Sequence, residues 1–193
     1  KNGIIAHSGG WNTVKFDTVQ TTGNIDTYAN DYISLTNVKG ANDITAKINA
    51  DCGTIYADGI QSSGLFTATA NNVINLSNST VGSLIANAGR STVSLDKFNT
   101  KGNADVVASD SINLKNGSTF GHIKAFAADI NYTDAQVKNA DISATNKLTM
   151  TRTDGKALSP IVNSYIAVKD LDLRNMTLDN SHVIANDKVS SFD

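Results

Sequence analysis

Three histidines, one cysteine and 18 acidic residues are the side chains from which this chain could assemble chemistry. An imidazole can move a proton or hold a metal, but it needs a second titratable or ligating group within reach. His7, His122 and His182 are spread along the sequence and fall in different units of the repeat described below, too far apart to share either task. Solvated or turn histidines are the plainer reading. Cys52 stands between Asp51 and Gly53, with no histidine in its own or adjacent repeats to favour a thiolate, so a nucleophile is not expected. A lone cysteine also excludes an internal disulfide and a thiolate metal cluster. The aspartates recur about once per repeat, with no matching arginine or histidine beside them. That is the pattern of turn residues rather than of a carboxylate pair for acid–base cleavage. No catalytic residue, metal ligand or cofactor is expected.

The elements that carry these residues repeat from end to end. An alanine precedes a polar turn at Ala6, Ala29, Ala50, Ala70, Ala88, Ala108, Ala127, Ala144, Ala167 and Ala185, at spacings of about 17 to 23 residues. After each turn comes an apolar pair with one residue between, as in Val14 and Phe16, Ile33 and Leu35, Ile74 and Leu76, or Ile112 and Leu114. Upstream of each alanine a second alternating run, such as Leu84, Ala86, Ala88, faces the same way. Period 2 means strand, and two short strands with one apolar face are too little to stand alone, so neighbouring repeats must stack and share a core. The expected fold is all-β: one parallel β-helix over residues 1–193, about ten coils of roughly 19 residues, near 50 Å long at a rung spacing of ~4.8 Å. Small alanines suit a corner where two sheets converge. Asn37, Asn78, Asn116 and Asn175, two residues past the core position, predict a further corner with stacked amides.

Two places depart from the pattern. The third coil carries Ala50-Asp51-Cys52-Gly53-Thr54, a turn one or two residues longer than its neighbours, and the eighth runs on from Thr151 to Pro160. The second stretch holds the only proline and an Asp154-Gly155 turn pair, so a protruding loop presenting Arg152, Asp154 and Lys156 is expected there. Trp11 falls on a lengthened first turn and is expected at an exposed corner. The residue before each corner alanine should face outward, which makes Tyr28, Val107, Phe126, Ile166 and Ile184 a candidate contact face for a partner. Scattered exposed apolar residues on such a sheet also need no partner to explain them. A net charge of −2 and the lack of a cationic stripe exclude nucleic acid as an expected partner. No stretch has the ~20 apolar residues of a membrane helix. Both termini fall within the pattern, so the chain reads as a piece of a longer one, continued by flanking coils.

The repeated form, Ala then Asn or Asp then Ile-x-Leu, with Gly-Asn or Gly-Ser opening coils at Gly23, Gly82 and Gly102, resembles the filamentous haemagglutinin repeat of bacterial two-partner-secretion exoproteins. That family includes adhesins and the stalks of contact-dependent inhibition toxins. The resemblance implies a right-handed β-helical shaft, secreted or held at a bacterial cell surface. Such a shaft acts by display and by contact with a protein or glycan receptor on a host or neighbouring cell. Autotransporter passengers share the shaft by another export route. A carbohydrate-active β-helix enzyme is the alternative from a different class, and its mark would be a cross-coil cluster of carboxylates with Arg or Lys on one strand face. None is expected from the sequence.

Overall fold

A computed structural model describes the chain apart from residues 1, 2, 11, 117, 119, 137, 138, 154–158 and 193, and apart from the side chains of 159, 160 and 192. The described residues form strands and turns with no helix, and every strand pairing is parallel. The fifth turn of the chain shows the plan. Ser83–Ala88 buries Leu84, Ala86 and Ala88 on a first face. Thr92–Thr100 then buries Val93 and Leu95 on a second face, and Phe98 and Thr100 on a third. The break between the last two is Lys97, at φ 50°. Each turn thus wraps three short runs of inward side chains around one core, and nothing but the neighbouring turns closes that core above and below.

The apolar pairs of the second face stack as the alternation predicts. Val14 pairs with Ile33, and the column continues through Ile55, Ile74, Val93, Ile112, Ile130, Leu148 and Leu171 to Val189. Ten rungs give about nine complete turns, with a mean spacing of (189 − 14)/9, or about 19 residues. Two residues beyond the second core position the chain bends through the left-handed region at Thr18, Asn37, Gly59, Asn78, Lys97, Asn116, Asp134 and Asn175. Asn and Gly adopt it most cheaply, which is why they dominate the column. The amides do not form a ladder here, because an Asn never stacks on an Asn along those rungs. Asn78 and Asn116 donate instead to Asp58 and Asp96 of the preceding turn, both at 2.7 Å. Amide-on-amide bonds occur elsewhere, from Asn131 to Asn113 at 3.1 Å and from Asn180 to Asn163.

The alanine corner needs correction at three rungs. The true column runs Ala29, Ile48, Ala70, Ala88, Ala108, Ala127, Ala144, Val168, Ala185. Ala6 pairs with Thr27, two places upstream of the corner. In the third coil Ile48 takes the alanine site and Ala50 moves into the turn. From Ile48 to Thr54 is six steps where Ala29 to Tyr32 is three, so this turn is three residues longer than its neighbour. Gly53 makes the exchange possible: a Cβ there would lie 2.1 Å from Ile48 Cγ2. In the ninth coil Val168, not Ala167, sits in the column, which carries Ile166 into the core at 0 % exposure.

Between the third and first faces the backbone closes on a column of glycines. Gly82 N donates to Gly64 O at 2.9 Å, Gly102 N to Gly82 O at 2.7 Å, and Gly121 N to Gly102 O at 3.2 Å. Of the coil-opening glycines of the sequence, Gly82 and Gly102 are therefore rungs of a backbone ladder, while Gly23 O accepts from Asn42 N at 3.2 Å, where the column holds an asparagine.

One buried group is at odds with its surroundings. Tyr132 is 1 % exposed between Leu114 and Met150, its hydroxyl has no hydrogen-bond partner, and burial pushes its phenol far above the usual range. Removing an unpaired buried hydroxyl relieves a desolvation cost. Tyr132→Phe is expected to stabilise the chain by about 1 kcal/mol, read as a higher denaturant midpoint; a lower midpoint would show that the hydroxyl is satisfied in solution.

Candidate functional site

Two outward surfaces gather side chains that could meet a ligand. On the first face, strand alternation turns two residues per rung to solvent. One column runs Ile85, Asp105, Lys124, Asp141, Tyr165, His182, and the column beside it runs Asn87, Val107, Phe126, Ser143, Ala167, Ile184. Val107 and Phe126 are directly paired, at 38 % and 49 % exposure, and with the flanking charges they line a shallow depression of about 390 Å³. The alternation Asp105, Lys124, Asp141 leaves this patch with mixed charge, and His122 approaches Asp141 at 3.5 Å.

Of the five residues expected on this face, four point outward. Val107 and Phe126 form its centre, Ile184 lies three rungs beyond Phe126 beside Ala167, and Tyr28 is far toward the other end, half-buried with its ring edge-on to His7 at 4.5 Å. Ile166 is not part of it, for the register reason given above. The expected loop is also revised at its base. Arg152 continues the stack: its N–H donates to Arg174 O at 3.1 Å, and its carbonyl accepts from Asn175 Nδ2 at 2.9 Å. Thr153 is tied to the carboxylate of Asp134. Asp154 and Lys156 lie outside the described residues, as does Trp11.

The second surface was not foreseen. On the second face, three adjacent rungs turn out Lys147, Asp170 and Lys188 in one column, and Thr149, Asp172 and Ser190 in the next, with Arg174 beyond Asp172. Asp172 is the centre. Its side chain is 9 % exposed and accepts from Arg174 Nε at 3.3 Å, Arg174 Nη2 at 3.1 Å and Lys147 Nζ at 3.2 Å. Asp170 contributes a buried oxygen, Oδ1, with no hydrogen-bond partner. The group edges a depression of about 330 Å³. This is the cross-coil cluster of carboxylate and cation that sequence reading did not find, and the reason is spacing. Lys147 and Asp172 are 25 residues apart because the eighth coil carries the long insertion, so a 19-residue ruler misses the pairing. Other aspartates also have partners: Asp51 meets Arg90 at 3.3 Å, an exposed pair of little energetic weight.

The hydrogen bond from Arg174 holds the Asp172 carboxyl below the usual carboxylate range; burial opposes it and Lys147 adds to it. A depressed folded-state pKa contributes stability that is complete above the unfolded value, about 4, and is lost as pH falls through the folded value. Asp172→Asn is therefore expected to cost about 1–2 kcal/mol near neutrality and progressively less below about pH 4. Denaturation midpoints of both proteins across that range test it, and a constant difference would assign the effect to packing rather than charge.

Among the described residues no helix is long and apolar enough to cross a membrane. No family model, curated protein or solved structure matches the chain.

Proposed function

We propose that this chain is a shaft segment of a secreted or surface-displayed bacterial exoprotein of the filamentous haemagglutinin kind, acting by display and contact rather than catalysis. The observation that carries the reading is the unbroken core. Ten rungs of the second face stack without an interruption, and the long insertion of the eighth coil leaves the columns on either side of it in register. Such a solenoid is a spacer, and its outward side chains are free to vary without cost to the core. The Val107 and Phe126 patch is its contact surface, for a protein or glycan on a host or neighbouring cell. A toxin stalk would use the same shaft. Saturable binding of the purified chain to cell surfaces, lost in Phe126→Asp with the β-sheet circular dichroism retained, is the expected result; binding indifferent to that substitution would remove the contact surface.

A second reading, a carbohydrate-active enzyme, is favoured by the Asp170, Asp172, Lys147, Arg174 and Lys188 cluster. Cations beside carboxylates on a solenoid face can hold a uronate and move its proton. Incubation with acidic polysaccharides decides between them. Unsaturated products or new reducing ends that disappear in Lys188→Ala would replace the shaft reading.

A further inference from the structure

The first face carries a self-complementary pattern, and this deepens the contact-surface reading on which it rests by naming the partner. Take the sixth and seventh rungs. The sixth turns out Asp105 and Val107, and the seventh turns out Lys124 and Phe126, each directly beside its counterpart. We propose that this face pairs with the same face of a second copy, the two rods antiparallel, about a twofold axis that runs along the strands between these rungs.

The geometry follows from symmetry alone. An in-plane axis parallel to the strands reverses the rod but keeps each outward column opposite itself, so the sixth rung of one copy meets the seventh of the other. Asp105 then faces Lys124 of the second copy and Val107 faces its Phe126, and each contact occurs twice. One rung further out, Asn87 meets Ser143 and Ile85 meets Asp141, the least favourable pair of this register. Competing arrangements are worse. An axis through the seventh rung sets Lys124 on Lys124, and one along the rod sets Asp105 on Val107 and Lys124 on Phe126, burying charge against apolar groups. Moving the axis one rung toward the C-terminus pairs Lys124 with Asp141 but places Phe126 on Ser143.

The area is sufficient. In the chosen register eight rungs oppose eight, from the third to the tenth. At ~4.8 Å per rung and ~17 Å of strand, the footprint is ~650 Å² per copy, or ~1,300 Å² in total, within the range of specific interfaces. Its two central rungs set an apolar column, Val107 and Phe126, beside a column of complementary charge, Asp105 and Lys124, so burial and charge pairing act in the same register. No edge strand is involved, so the association is side chain to side chain and closes at two copies.

Sedimentation of the chain at micromolar concentrations tests the proposal. A dimer is expected. Asp105→Lys alone sets a new ammonium against Lys124 twice, and Lys124→Asp alone sets acid against acid twice, so each should weaken self-association at least tenfold. Mixing the two variants restores opposite charges at both contacts, and a heterodimer of near wild-type strength should reappear. That rescue cannot arise from misfolding, and Phe126→Asp should resist it. A monomeric wild type, or single variants that dimerise normally, or a mixture that stays monomeric, would each overturn the pairing. A monomer that still binds cell surfaces through Phe126 overturns it while leaving the contact reading intact, and a monomer with no Phe126-dependent binding removes both.

Discussion

Replacing Phe98 with alanine is expected to destabilise the rod by about 3–5 kcal/mol, the upper range for truncating one buried side chain. Phe98 is 0 % exposed and fills the third face at the fifth rung. Its neighbours along that column are small. It pairs with Ser79 on one side, and its N–H donates to Ser118 Oγ at 3.1 Å on the other. One aromatic ring therefore occupies space that three rungs share, and neither serine can collapse into the void it would leave. The serines are committed besides: Ser79 Oγ accepts from Ile60 N at 3.0 Å, and Ser118 Oγ donates to Lys115 O at 2.8 Å. Because each turn rests only on its neighbours, a weak rung at mid-rod should also loosen the coupling between the two halves. A lower denaturant midpoint with a broadened or split transition is the expected signature. A loss below about 1 kcal/mol would show that the column closes over the gap.

Gly82→Val should cost about 3 kcal/mol for a different reason, backbone against backbone. A Cβ at Gly82 would lie 2.2 Å from Ser63 O and 2.8 Å from Gly64 O, neither of which can rotate away. Relief would require parting the ladder in which Gly82 donates to Gly64 and accepts from Gly102. The matched control is Gly9→Ala, where an added Cβ meets nothing within 4 Å and stability should not change. Equal midpoints for the two variants would mean that the corner yields freely.

What could be read in the sequence depended on which force set each position. The second-face pairs, from Val14 and Phe16 to Leu171 and Leu173, were legible to the residue, because burial selects apolar side chains at strict alternation and, outside the third coil, the turns before them vary little in length. The alanine corner was legible only where alanine itself occupied it. At Ile48 the room comes from Gly53, five residues on, and no one-dimensional pattern reports that exchange. At Val168 the adjacent Ala167 drew the register off by one, which inverted Ile166 from surface to core. The outward patch at Val107 and Phe126 survived because the coils around it have regular length. The Asp172 cluster did not, since its partners come from coils separated by an insertion. Charge pairing across rungs follows three-dimensional register, and sequence spacing tracks that register only where turns keep a constant length.

The hydrogen bonds that join the rungs run along the rod, at right angles to the strands, and this decides how the molecule would bear a load. Tension applied between its ends pulls on one rung's bonds at a time, so the terminal turn peels before the next is strained. Each turn advances the rod by ~4.8 Å but contains about 19 residues, which extend to ~65 Å when freed. A peeled turn therefore releases more than ten times its own rise as slack. The rod would yield stepwise under pull, lengthening by ~60 Å per turn while the turns beneath keep their core, and would rewind one turn at a time on the template of the last intact rung.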